Sequence, residues 1–454
     1  MAAIAPSARL ADTLRARRNR LAELIDFPVV LWSGQESARN FPANTYPFRA
    51  NSHFLYFAGV PLINAAVRLD GAKLTLFMDE SPPEAALWHG PTPSRAETAA
   101  HIGADTAYPL RALADVVEGA ATVGVQDAAT AAAQLTARGV INPARDRALA
   151  EAIVTLRLTH DDAAIAEIRQ AAQVSIQAHR AGMTATQPGK IEAAIRAAME
   201  AVILAQGMTT AYNSIVTVHG EVLHNEHYHH TLQPEDLLLV DVGAEAPTGW
   251  ASDITRTWPV TGNFSATQRD LYDIVLAAHD ACIAAARPGM EYREVHLLAC
   301  HVLAAGLVDL GILRGDPASL VEQDAHALFF PHGVGHLLGL DVHDMEDLGD
   351  LAGYAARRPR SDRFGLAFLR LDRPLQAGMI VTIEPGFYQV PGILQAPQTR
   401  DRYAAVVNWE RLAQFHDVRG IRIEDDVLIT ATGSEVLTAA LPTTATDIEA
   451  LVRT

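Results

Sequence analysis

Apolar and polar positions alternate along this chain in two rhythms. At helical spacing, the run from Leu156 to Met183 opens with Thr159 or Asp161 as a plausible N-cap and stops at Gln187-Pro188-Gly189. Ile191–Gln206 repeats the period and closes on Gly207. Thr267–Arg287 and Tyr292–Leu310 form another helix pair, again separated by Pro-Gly. Between and after these pairs the pattern changes to apolar strands at Ser214–Val218, Leu237–Glu245, Trp250–Val260, Met379–Ile383 and Ile421–Ile429. Helix, Pro-Gly, helix, then strands thus occurs twice, over 160–260 and 267–430. That weak repeat suggests two related halves around one site.

The chain before this region has a different character. A basic helix near Ser7–Ile25 leads to a buried strand, Pro28–Trp32. Ala65–Leu69 and Leu74–Met78 read as a hairpin about Asp70-Gly71, and Thr122–Val125 as a short strand. The expected organisation is an α/β domain over 1–157 and a larger α+β domain over 158–454. His53, His89 and His101 read as surface or packing residues, and no catalytic constellation is visible in the first domain.

Leu237–Val260 is the stretch most charged with chemistry. Its two arms, joined by Pro247, Thr248 and Gly249, are apolar around Asp241 and Asp253. A hairpin folded about Pro247 sets the two aspartates directly opposite, Cβ atoms roughly 5 Å apart. Carboxylates that close repel each other and lose hydration unless a cation intervenes. The plainer alternative is a solvated face with two unrelated acids. Further polar points interrupt apolar sequence at His332 and His336 in PHGVGH, at Glu384 before Pro-Gly, and at Glu424, where alternation puts Arg422 on the same face. Oxygen ligands with one imidazole suit Mn²⁺ or Mg²⁺, with Co²⁺, Fe²⁺ or Zn²⁺ as alternatives. Four carboxylates exceed one ordinary zinc site and suit a pair of ions about 3.5 Å apart. Such a pair activates water and polarises a carbonyl, so the expected reaction class is hydrolysis.

Composition narrows the field. The chain has 454 residues and a formal charge of −17, with no basic stripe, which argues against a nucleic-acid partner. Two cysteines, Cys282 and Cys300, imply no disulfide framework and fit a reducing, cytoplasmic compartment. The N-terminal stretch lacks the apolar core of a signal peptide, and no run of 18 apolar residues suggests a membrane span. H-E-x-x-H and G-x-S-x-G are absent, which removes thermolysin-type zinc sites and serine-hydrolase elbows. His326 and His416 read as structural or exposed, and His227, His229 and His230 as a polar loop.

Together, LLLVDVG, ASDITRTWPV, PHGVGHLLGLDVHD, VTIEPGFY and GIRIEDDVLIT resemble the proline-specific metallopeptidases of the pita-bread fold, prolidase and aminopeptidase P. The resemblance spans about 160–440, and more loosely the first, creatinase-like domain through FRANSHFLYFAGV and ALWHGPTPS. It implies two divalent ions, Mn²⁺ first, with Co²⁺, Zn²⁺ or Fe²⁺ as alternatives. Asp241 would hold one ion, His336 and Glu384 the other, and Asp253 and Glu424 both. It further implies Glu384 as proton shuttle, His224, His332 and His343 as contacts to the substrate carbonyl and oxyanion, and Arg422 as the group orienting the Glu424 region. Arg370 falls where prolidases grip a C-terminal carboxylate, so a dipeptidase for Xaa-Pro is the first reading and an aminopeptidase for longer Xaa-Pro peptides the second. A phosphotriester hydrolase and a non-catalytic binding homologue are remoter alternatives. A homodimer is implied, with the first domain contributing to the contact. Two departures stand out: eleven residues separate the aspartates where the family usually has ten, and Asn225 follows His224 where the family often has Tyr.

Overall fold

A computed structural model describes residues 8–454. Ser7, where the first helix is expected to start, lies outside them. The chain divides into two compact units after Arg157.

In the first unit, helix α1 (Ala8–Leu24) precedes strand β1 (Val29–Trp32), which pairs antiparallel with β2 (Ala66–Asp70). β2 turns through Gly71 into β3 (Lys73–Phe77), and β4 (Thr106–Tyr108) adds parallel to β3. The strand expected over Thr122–Val125 does not form. Ala121 makes only an isolated bridge to Val29, and Thr122 instead donates its hydroxyl to Val30 O. The unit ends with α2 (Pro143–Arg157), and Arg157 packs against His53 with Nη1 2.8 Å from Nδ1.

In the second unit, α3 (Asp162–Ala185) is capped by Asp161, whose carboxylate accepts from Ala164 N. It packs on α4 (Glu192–Ala205). α5 (Ala266–Ala285) and α6 (Tyr292–Asp309) form the matching pair, and α5 opens with a capping box between Ser265 and Gln268. Each pair contains one glycine at close approach. A Cβ on Gly182 would meet Met199 Sδ at 2.7 Å, and one on Gly306 would meet Ile274 Cγ1 at 2.6 Å. Among the described residues no helix is long and apolar enough to cross a membrane.

The strands lie between these helix pairs in sequence. β5 (Ile215–Thr217), β6 (Leu237–Asp241) and β7 (Thr255–Pro259) form one antiparallel sheet in the order β7-β6-β5. β8 (Ile380–Ile383), β9 (Gly386–Tyr388), β10 (Gly420–Arg422), β11 (Asp425–Ile429) and β12 (Ser434–Val436) pair as β8-β11-β12 and β9-β10. Every residue of β6 and β7 is buried. Their apolar face joins α3, α4 and the C-terminal helix α7 (Ala445–Val452) in a core around Trp258, whose indole N–H reaches Thr186 Oγ1 at 3.0 Å.

Two further expectations need correction. The β6–β7 hairpin is centred on Thr248, not Pro247: Ala246 N donates to Trp250 O, Gly249 N to Ala246 O, and Asp241 pairs with Thr255. Asp253 therefore stands two residues before Asp241's partner. Because the shift is even, both aspartates keep the same face of the ladder. Ile421–Ile429 is not one strand. Ile423 N reaches Pro385 O at 3.4 Å, while Glu424 N turns to Thr255 O at 3.0 Å. That break ends β10 against β9 and starts β11 against β8. Between β9 and β10 the chain forms the short helices Pro391–Leu394, Pro397–Arg402 and Trp409–Leu412.

Candidate functional site

The strand ends converge on one cavity. His224, Asp241, Asp253, His332, His336, His343, Arg370, Glu384, Arg422 and Glu424 all line a space of about 460 Å³. These are the ten residues named from the sequence, and they come from segments spread over most of the second unit.

Backbone pairing fixes the acids. Asp241 ends β6. Asp253 precedes β7, and its N–H is held by the Asp426 carboxylate at 3.1 Å. Gly243 permits the hairpin arms to close here, since a Cβ on it would lie 1.8 Å from Ser252 O. Glu384 follows β8, with its N–H on Val334 O at 2.8 Å. Glu424 sits at the break between β10 and β11. His336 lies beside β8: Thr382 N donates to His336 O at 3.0 Å and His336 N to Thr382 Oγ1 at 3.2 Å.

The tightest group is Asp253, His336 and Glu424, from each of which one ligand atom lies within 4.8 Å of the other two. His336 Nε2 is 3.4 Å from Asp253 Oδ2 and 3.9 Å from Glu384 Oε1, while its Nδ1 lies 3.0 Å from Leu337 O. That carbonyl fits a proton on Nδ1 and leaves the Nε2 lone pair facing the acids. Asp241 is bound by Arg422 Nη2 at 2.6 Å. Arg422 also donates Nε to Thr255 Oγ1 at 3.0 Å and Nη1 to Tyr388 Oη at 3.2 Å, so it reaches the Glu424 region through Thr255. Thr255 in turn donates to Glu424 Oε2 at 2.7 Å.

Electrostatics indicate which groups the cavity suits. Burial, then the neighbouring Asp241 charge, pushes the Asp253 carboxyl well above its ordinary range. Burial and Glu424 do the same to Glu384, and burial and Asp253 to Glu424. Five carboxyl groups line the space against the three guanidiniums of Arg360, Arg370 and Arg422, so acids outnumber cations there. Divalent cations are the groups that would relieve this crowding, and the donor set of carboxylates and one imidazole fits them. The imidazoles stay neutral: burial, reinforced by Arg422, holds His332 down to about 3, and burial holds His336 and His343 down to about 4. His224 is lowered by the same two causes as His332.

Further residues complete the site. Tyr212 places its hydroxyl 2.5 Å from both Asp241 Oδ1 and Asp253 Oδ1. Tyr388 lies 2.9 Å from His332 Nε2. Nothing in the local sequence distinguishes Tyr212, and Thr255 falls within the singled-out motif ASDITRTWPV without a role being read for it. Tyr388 was likewise within a singled-out motif, VTIEPGFY. Arg370 forms an ion pair with Glu346, which also binds His343 Nδ1 at 2.7 Å, and both Glu346 and Arg360 line the cavity. Asn225 is buried and points away from chemistry: its side chain donates to Thr217 Oγ1 and accepts from His227 N, anchoring the histidine loop. His230 in that loop lies 3.0 Å from Glu192 and does not line the cavity.

The chain is similar to known proteins over most of its length. The model of metallopeptidase family M24 matches residues 166–431, and that of the aminopeptidase P N-terminal domain matches 14–126. A relative in Podospora anserina named "Probable Xaa-Pro aminopeptidase" is 33% identical over 412 residues, covering 87% of this chain and 86% of its own. The human Xaa-Pro dipeptidase is 31% identical over 440 residues, covering 93% and 88%. The solved aminopeptidase PepP of Pseudomonas aeruginosa superposes with a TM-score of 0.81 at 30% identity, over 98% of each chain. The fold is thus α+β, with a smaller N-terminal domain and a pita-bread catalytic domain.

Proposed function

This chain belongs to metallopeptidase family M24, and from that premise we propose that it hydrolyses Xaa-Pro peptide bonds with two divalent ions, the dipeptide being its preferred substrate. The observation that carries this reading is the convergence of the ten residues on one cavity. Residues 1–157 are assigned to the N-terminal domain and 158–454 to the catalytic one.

Asp241, Asp253, His336, Glu384 and Glu424 would hold the ions, with Mn²⁺ the first choice and Co²⁺, Zn²⁺ or Fe²⁺ following. When bound, such ions make water more acidic and polarise a carbonyl. The chain's own groups do the rest. Glu384, as the carboxylate, takes a proton from the attacking water and delivers it to the leaving proline nitrogen. His224, His332 and His343, as neutral imidazoles, donate to the oxygen that gains charge. Arg422 holds the Asp241 side chain in place through Nη2.

Arg370 is the discriminating group. A dipeptide presents its C-terminal carboxylate one residue beyond the scissile bond, and that carboxylate would exchange with Glu346 on the guanidinium. The second reading, an aminopeptidase acting on longer Xaa-Pro peptides, is favoured by Glu346 itself, which already neutralises Arg370. Comparing kcat/KM for Ala-Pro and Ala-Pro-Ala on the metal-loaded enzyme decides between them. Preference for the tripeptide overturns the dipeptidase reading, and inactivity on both overturns Xaa-Pro hydrolysis.

The two unpaired thiols fit a cytoplasmic protein. Leu87 and Trp88, 80% and 78% exposed on the first unit, fit a homodimer in which that unit takes part.

A further inference from the structure

Outside the cavity, α6 carries His296 and Cys300 four residues apart, hence on one face of the helix. The turn Ala325–Leu328 brings His326 to that face. One ligand atom from each of the three lies within 4.8 Å of the other two. All three side chains are buried, at 0%, 0% and 2% exposure. His296 Nε2 is 3.4 Å from Cys300 Sγ and 3.0 Å from Gly365 O. Neither ring nitrogen of His326 has a hydrogen-bond partner, nor does His296 Nδ1. A buried imidazole with both nitrogens unpartnered has given up its hydration with nothing in return, which folded proteins rarely tolerate.

We propose that His296, Cys300 and His326 form a second metal site, distinct from the cavity, for a thiophilic ion of the Zn²⁺ or Cu⁺ class. A thiolate with two imidazoles selects such ions over Mn²⁺ or Mg²⁺. The imidazoles are ready to bind: burial holds His296 down to about 4 and His326 down to about 3, so both are neutral at physiological pH. The Cys300 thiol is pushed up by burial, so the ion must displace its proton, which leaves to solvent as the sulfur–metal bond forms.

The ion would act as a clasp. His326 lies six residues before His332 and ten before His336 in the sequence, so three bonds at this point fasten the start of the segment carrying both to α6. The Phe330 ring transmits the contact, with its centroid 5.5 Å from the His296 ring and 4.8 Å from the His332 ring. Because the cluster is closed off from solvent, the ion would be taken up as the chain folds.

Cobalt separates this site from the cavity. Full-length protein is produced with Co²⁺ as the supplied divalent ion, and its near-ultraviolet absorption is recorded. Oxygen and imidazole donors give no thiolate-to-cobalt charge-transfer band, so such a band reports a cysteine ligand alone. The wild type and Cys282→Ser should show it; Cys300→Ser should lose it while keeping cobalt in the cavity. His326→Gln should weaken or shift it. Absence of the band in the wild type, its survival in Cys300→Ser, or an unaltered band in His326→Gln each overturns the proposal.

Discussion

The hydroxyl of Thr255 donates to Glu424 Oε2 at 2.7 Å, although the two residues are 169 positions apart. The same oxygen accepts from Arg422 Nε, so one methyl-sized group aligns an acid and a cation of the cavity. Thr255→Val keeps the shape and removes both bonds. Loss of a hydrogen bond to a ligand typically costs about 10–100-fold in metal affinity or activity. The variant should therefore titrate with Mn²⁺ at correspondingly higher concentration while its circular dichroism is unchanged. Wild-type affinity would remove Thr255 from the site.

Gly335 has no room for a side chain. A Cβ there would lie 2.1 Å from Thr382 O and 2.3 Å from Tyr292 Oη. The backbone of 334–338 must lie flat on β8 for His336 to point at Asp253, so Gly335→Ala should both displace that imidazole and overpack the core. Overpacking costs about 1–3 kcal/mol. Urea melts should show the destabilisation, and hydrolysis should fall further than stability does.

Behind the cavity, Arg256 Nη2 meets Asp425 Oδ1 at 2.8 Å with both side chains buried. Burial alone raises the Asp425 carboxyl, but Arg256 and His279 outweigh it and hold the group below the usual carboxylate range. A depressed folded pKa means stability that is complete above the unfolded value of about 3.9 and drains away as pH falls below it. Asp425→Asn leaves Arg256 buried and unpaired, which costs about 3–5 kcal/mol. The gap between variant and wild type should be full at pH 7 and narrow as the pH drops under about 4. A gap of constant size across that range would remove the ion pair as its cause.

Tyr212 touches Asp241 and Asp253 with one hydroxyl. Tyr212→Phe withdraws that donor from two crowded carboxylates. The metal-free variant should melt earlier than the metal-free wild type, by about 1–3 kcal/mol. Added Mn²⁺ should raise its Tm by more than it raises that of the wild type. An equal rise would show that the hydroxyl does not relieve the repulsion.

How far the site was legible depends on what each residue does to the local pattern. Asp241, Asp253, Glu384 and Glu424 interrupt apolar strands, and an acid in such a place is visible without coordinates. The hairpin register was not, because Pro247-Thr248-Gly249 permits a turn centred on either of the first two residues, and only cross-strand packing chooses. The break at Glu424 was hidden by an unbroken alternation in IRIEDDVLI; the strand changes partners there for tertiary reasons. Tyr212 is a neutral hydroxyl in unremarkable surroundings and Thr255 one within a singled-out motif; what each touches is decided only when distant segments meet. His326 looked structural or exposed in sequence, and only the fold shows it buried beside a thiol and a second imidazole.

Glu424 stands at the boundary of two strands very late in the chain, while Asp241 and Asp253 are synthesised far earlier. A nascent polypeptide that stops short of Glu424 therefore carries an unfinished acid cluster, however well its early hairpin has formed.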